Sequence, residues 1–145
     1  MEELVAALKR ALGDTFVFAF KVQAAHWNVT GINFPQYHDF YGDIYEEVQK
    51  GQDKIAELLR TLDVFAPDTI AELLEVALIS DVALLFTDPA SVVDTLKIEN
   101  DKVLASLLLA YQEAESQTEL GISNAIQDRI ETHQKYAWML KAAGE

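Results

Sequence analysis

Apolar residues recur at three- and four-residue intervals along almost the whole chain, and this pattern restricts the fold more than any motif does. Leu4, Leu8, Ala11, Thr15, Phe18, Val22 and Ala25 line one face of a segment from about Glu2 to Trp27. Tyr37, Tyr41, Ile44, Val48, Ile55, Leu59 and Leu62 do so from about Phe34 to Leu62. Leu96, Val103, Leu107 and Tyr111 stripe a third segment, Ala90 to Ala114, and Ile122, Ile126, Ile130, Ala137 and Leu140 a fourth, Glu119 to Ala143. This is the period of amphipathic helices, and no alternating strand pattern competes with it. Gly31, Pro35, the run Ala66, Pro67 and Asp68, and the pair Asp88 and Pro89 punctuate the segments. Thr69 or Asp68 is placed to cap a short helix reaching about Ile79. Phe16 to Phe20 is apolar all round, which implies cover on more than one side, and Trp138 is expected to anchor the bundle interior. The expected fold is all-α: a four-helix bundle with a short extra helix in the long connection between its second and third long helices.

The chain has 145 residues, enough for one core and too few for two, so residues 1–145 form a single domain. It contains no cysteine, which excludes disulfides and thiolate metal sites and fits a reducing compartment. No basic leader precedes an apolar run, and no uncharged stretch approaches the roughly 20 residues of a membrane helix. A soluble cytoplasmic protein is expected. The net charge is −13, without a basic tail, so no nucleic-acid partner is expected; a solvated, aggregation-resistant surface accounts for that charge.

Against this background four metal-capable side chains stand out: His26, His38, Asp53 and Glu57. Imidazole nitrogens and carboxylate oxygens together suit iron, manganese or zinc. Asp53 and Glu57 are an i,i+4 pair and project from one helix face. His38 and Asp53, however, are about 22 Å apart along one helix axis, too far for a common ion within one chain. Two copies packed antiparallel through their second helices remove the difficulty. An axis midway between 38 and 53, at Tyr45 and Glu46, sets His38 of one chain opposite Asp53 of the other. His26 lies at the same end as His38. One symmetric dimer then creates two identical sites, each with two histidines from one chain and two carboxylates from its mate. The intrachain di-iron signature Glu-x-x-His is absent, since Gln23, Pro35 and Ile130 stand three residues before His26, His38 and His133. His133, without an acidic partner at ligand spacing, reads as structural. Tyr37, Tyr41 and Tyr45 read as packing, Trp27 as corner packing or a shield for the site, and Glu113, Glu115 and Glu119 as a solvated turn or an ion entry.

These residues carry a resemblance. The block His26, Trp27, Asn28, Val29, Thr30, Gly31, then Phe34, His38 and the run Asp53 to Glu57, resembles the Dps family of mini-ferritins. The likeness continues through Ala66 and Pro67, the segment Ile70 to Leu74, and His133 to Leu140. It implies a hollow shell of twelve subunits that oxidises Fe(II) at two-fold dimer interfaces, typically with hydrogen peroxide, and stores ferric mineral. It further implies that His26, Asp53 and Glu57 are iron ligands and that His38 supports a second, weaker iron position. One departure bears on the chemistry: the family pattern has an acid four residues after His38, and here that residue is Gly42. Asn124 and Gln134 likewise stand where acids are common in the family. The leading expectation is an iron-binding ferroxidase; other divalent metals also suit the set. The alternative is a shell or dimer with a degenerate site that binds metal weakly or not at all and has a structural or binding role.

Overall fold

The computed structural model describes all 145 residues and contains five helices. They are α1 (Glu2–Asn28), α2 (Phe34–Thr61), α3 (Ile70–Val76), α4 (Pro89–Ser116) and α5 (Leu120–Ala143). The four long ones form the bundle, with α1 packed between α2 and α4, α4 on α5, and α3 laid against α1. Every residue of the α1 stripe is buried, as are Tyr41, Ile44, Val48, Ile55 and Leu59 of α2. No helix is long and apolar enough to cross a membrane.

The helix ends follow local chemistry. Thr69 caps α3 by accepting a hydrogen bond from the Glu72 N–H at 3.1 Å, and Asp88 caps α4 through the Ser91 N–H at 3.2 Å, with Pro89 behind it in the first turn. Gly31, at φ 108°, supplies the left-handed residue that turns α1 into α2. The turn between α4 and α5 uses Thr118 at φ 60°, where a β-branched side chain is strained. Replacing Thr118 with glycine is therefore expected to raise stability by about 0.5–1 kcal/mol, read as a higher midpoint in chemical denaturation.

Two expectations need correction. The short helix stops at Val76 rather than near Ile79, because the Asp14 carboxylate takes the backbone N–H groups of Leu78 (2.6 Å) and Ile79 (2.9 Å) and Ala77 turns extended. Trp138 is no bundle anchor: it is 67% exposed. With His133, Tyr136 and Leu140 buried on one side of α5, 100° per residue puts position 138 on the other. Phe20 departs from its neighbours too. Val17, Phe18 and Ala19 are buried, whereas Phe20 is 48% exposed and meets Trp27 edge-on.

Candidate metal centre

His26 lies in the last turn of α1 and His38 in the second turn of α2, so the short Val29–Asn33 turn brings the two imidazoles face to face. Their centroids are 3.8 Å apart and their planes 15° from parallel. Each ring is fastened to the other residue's backbone. His26 Nδ1 lies 2.6 Å from the His38 carbonyl oxygen, and His38 Nδ1 lies 2.8 Å from that of His26. A carbonyl oxygen only accepts, so both Nδ1 atoms carry a proton, and in the neutral rings it is Nε2 that holds the lone pair. That is the tautomer a metal ligand needs, set by the partner its other nitrogen has. Because the rings are stacked, their in-plane lone pairs lie in nearly parallel planes about a ring-stacking distance apart and do not converge on one ion. Each imidazole is suited to a different ion.

His26 is enclosed by one face of α2. Tyr45 lies against it with centroids 5.3 Å apart, Phe34 stacks on the far side of His38 at 5.0 Å, and Gly42 lies directly beneath. Trp27 points outward, 57% exposed.

Asp53 and Glu57 are exposed, one turn apart on α2. Asp53 borders an open groove of about 390 Å³ that Leu12, Phe16, Phe20 and Leu73 line with apolar surface. Within one chain no three His, Asp or Glu side chains come close enough to hold an ion. The histidine pair, at the junction of α1 and α2, and the carboxylate pair on α2 are thus two separate half-sets, separated along α2 by the run from 38 to 53. Glu113 and Glu119 are half-buried and Glu115 exposed at the turn between α4 and α5.

The bundle interior is polar at one level, and none of it is a metal cluster. His133 is fully buried, with Nδ1 donating to Asn100 Oδ1 at 2.8 Å while Asn100 Nδ2 donates to the His133 carbonyl at 2.9 Å. Burial, and then the charge of Arg129, pushes the His133 imidazole down to about 3. The buried Arg129 guanidinium passes over Gly51 and donates to Glu47 at 3.0 Å, tying α5 to α2. A fixed guanidinium there opposes binding of a cation between the helices.

Sequence reasoning missed a second group of buried charges beneath the connection between α3 and α4. Lys21 donates to the Val82 carbonyl and pairs with Asp81 at 2.9 Å. Glu99, only 5% exposed, lies nearby with one carboxylate oxygen unpartnered. Its carboxyl is pushed up to about 7 by burial, against the pull of Lys21 and Lys102, with Asp81 adding to the rise. The available signal was the presence of Asp14, Lys21 and Glu99 on helices otherwise rich in core residues.

The ferritin-like domain model matches residues 5–144. Among solved structures, the Dps protein of Vibrio cholerae O1, described as a member of a broad superfamily of ferritin-like diiron-carboxylate proteins, superposes with a TM-score of 0.93 at 26% identity. That match covers 99% of this chain and 90% of the other. Helicobacter cinaedi CAIP gives 0.90 at 27% identity, covering 98% and 99%. The DNA protection during starvation protein of Brevibacillus brevis is 28% identical over 98% of this chain and 95% of its own. The chain belongs to the ferritin-like domain family, and within that family it is similar to the Dps mini-ferritins.

Proposed function

We propose that this protein binds Fe(II) between subunits, oxidises it and retains the ferric product inside a homo-oligomeric shell. Each site takes His26 and His38 from one chain and Asp53 and Glu57 from its two-fold mate. The observation that carries the reading is the pair of imidazoles held, in their neutral form, with the lone pair on both Nε2 atoms. The exposed carboxylate pair, with Asp53 at the edge of a partly apolar groove, and the Dps likeness across nearly the whole chain, support it. The two-fold axis falls near Tyr45 and Glu46, and closed symmetry of this kind is usual for homo-oligomers.

The donor set suits the chemistry. Anionic oxygen ligands favour Fe(III) over Fe(II), so Asp53 and Glu57 lower the cost of removing an electron. Two imidazoles, each facing its own ion, let two Fe(II) supply the two electrons that hydrogen peroxide takes up: two Fe(II), one peroxide and two protons give two Fe(III) and two waters. An acidic shell draws cations inward and repels polyanions, so iron is the cargo and nucleic acid is not a partner. We assign the chain one domain and a cytoplasmic location on the same reading.

The test is to add Fe(II) and peroxide without oxygen and follow ferric absorbance. Asp53→Ala/Glu57→Ala is expected to lose at least tenfold in initial rate. Equal rates in the two proteins overturn the assignment of those carboxylates. Native mass gives a separate measure: twelve chains of 16.2 kDa come to about 194 kDa, whereas a monomer overturns the intersubunit site.

A further inference from the structure

Gly42 stands where the resemblance led to an expected acid, so its first interpretation is a missing ligand. The geometry around it gives a different account. A Cβ built on Gly42 meets His26 Cε1 at 3.0 Å and Nδ1 at 3.1 Å, both tighter than ordinary contacts, and meets Nε2 at 3.9 Å. The imidazole lies directly on the α2 backbone, using the space that any other residue would fill. It has little freedom to retreat. Nδ1 is tied to the His38 carbonyl, the His38 ring covers one face at 3.8 Å, and Tyr45 lies nearby at 5.3 Å. Positions 38, 42 and 45 share one face of α2 at helical spacing and together form a three-sided seat.

We propose that Gly42 is a positioning residue: its bare backbone seats the His26 imidazole and holds Nδ1 on the His38 carbonyl, which fixes Nε2 as the ligand atom. Gly42 contacts no ion and supplies no donor. An acid here does not add a ligand to an unchanged site, because its Cβ first displaces His26. The inference deepens the iron-site reading and rests on it for the meaning of Nε2, while the seat itself is a property of the metal-free protein.

The two are separated by measuring both. In the metal-free protein at pH 8, the ¹⁵N shifts of the His26 ring are expected to report one tautomer, protonated at Nδ1. In Gly42→Ala they are expected to move toward an average of both tautomers, while the helix content and melting temperature stay at or above wild type. Co(II) alone, titrated by its visible absorption, is expected to bind Gly42→Ala at least tenfold more weakly than wild type. Gly42→Asp is expected to bind it no more tightly than wild type. Unaltered ring shifts and Co(II) affinity in Gly42→Ala overturn the seat, as does a mixed tautomer in wild type. Tighter Co(II) binding by Gly42→Asp with the His26 signature intact restores the missing-ligand view and overturns it as well. If wild type binds neither Co(II) nor Fe(II), the iron-site reading falls and the ring shifts still decide the seat.

Discussion

Replacing Asp14 with alanine is expected to lower the unfolding free energy by about 3–5 kcal/mol. Asp14 lies fully buried at the middle of α1. One oxygen accepts from the Leu78 and Ile79 N–H groups, and the other accepts from the Ser106 hydroxyl of α4. One carboxylate thus fastens three parts of the chain: α1, α4 and the connection that leaves α3. Alanine strands the buried Ile79 N–H and Ser106 hydroxyl and removes the acceptor of the part-buried Leu78 N–H. Each unmet donor costs about 1–3 kcal/mol, more where the lost bond was charge-assisted. Against a domain stability of about 5–15 kcal/mol the variant is expected to melt about 10 °C lower or more. Asp14→Asn keeps one acceptor and is expected to lose roughly half as much. Ser106→Ala removes one bond, and a double-mutant cycle with Asp14 is expected to show coupling of about 1 kcal/mol or more. Amide exchange at residues 78–82 is expected to rise before the rest of α1 and α4 opens. Protection there equal to wild type in Asp14→Ala would contradict the fastening role.

Asp14 also marks where the sequence stops being legible. Periodicity located the four long helices to within two residues, because burial of one helical face is a local signal repeated along each segment. The cap of α3 was legible as Thr69 or Asp68 for the same reason: a cap bonds to a residue three positions away, and Thr69 is the one that does so. Asp14 bonds to partners 64, 65 and 92 residues away, and Lys21 to one 61 away, so no local window contains them. The end of α3 was misplaced because a distant carboxylate decides it. The histidine half of the candidate centre was legible as a residue set, since both histidines flank one short turn. Its reciprocal locking and the role of Gly42 depend on ring orientation, which spacing does not specify.

Stability is expected to vary little with pH between about 4.5 and 6.5 on account of two buried groups that offset each other, and removing either one exposes the other. His133 titrates near 6.5 when unfolded and about 3 when folded, so in that window the unfolded chain carries one extra proton on histidine. Glu99 titrates near 4.5 when unfolded and about 7 when folded, so the folded chain carries one extra proton on the carboxyl. Between 4.5 and 6.5 the two states bind equal numbers of protons at these groups, and linkage gives no slope. Below 4.5 Glu99 is protonated in both states, His133 acts alone, and stability falls as pH drops toward 3. Above 6.5 His133 is neutral in both, Glu99 acts alone, and stability falls as pH rises to about 7. The groups that set Glu99 are Lys21 from α1, Lys102 on its own helix and Asp81 from the connection; those around His133 are Arg129, Asn100, Phe18 and Tyr136. Glu99→Gln leaves the histidine unopposed. Its folding constant is expected to drop about tenfold per pH unit on going down from 6.5, across a range where wild type is level. His133→Gln leaves the carboxyl unopposed, and its folding constant is expected to rise about tenfold per unit from pH 7 down to 4.5. Denaturant melts of the three proteins across pH 4–8 measure this directly, and taking each variant against wild type cancels the surface carboxylates common to all. Variants that differ from wild type by the same amount at every pH would show that neither buried group changes its proton on unfolding.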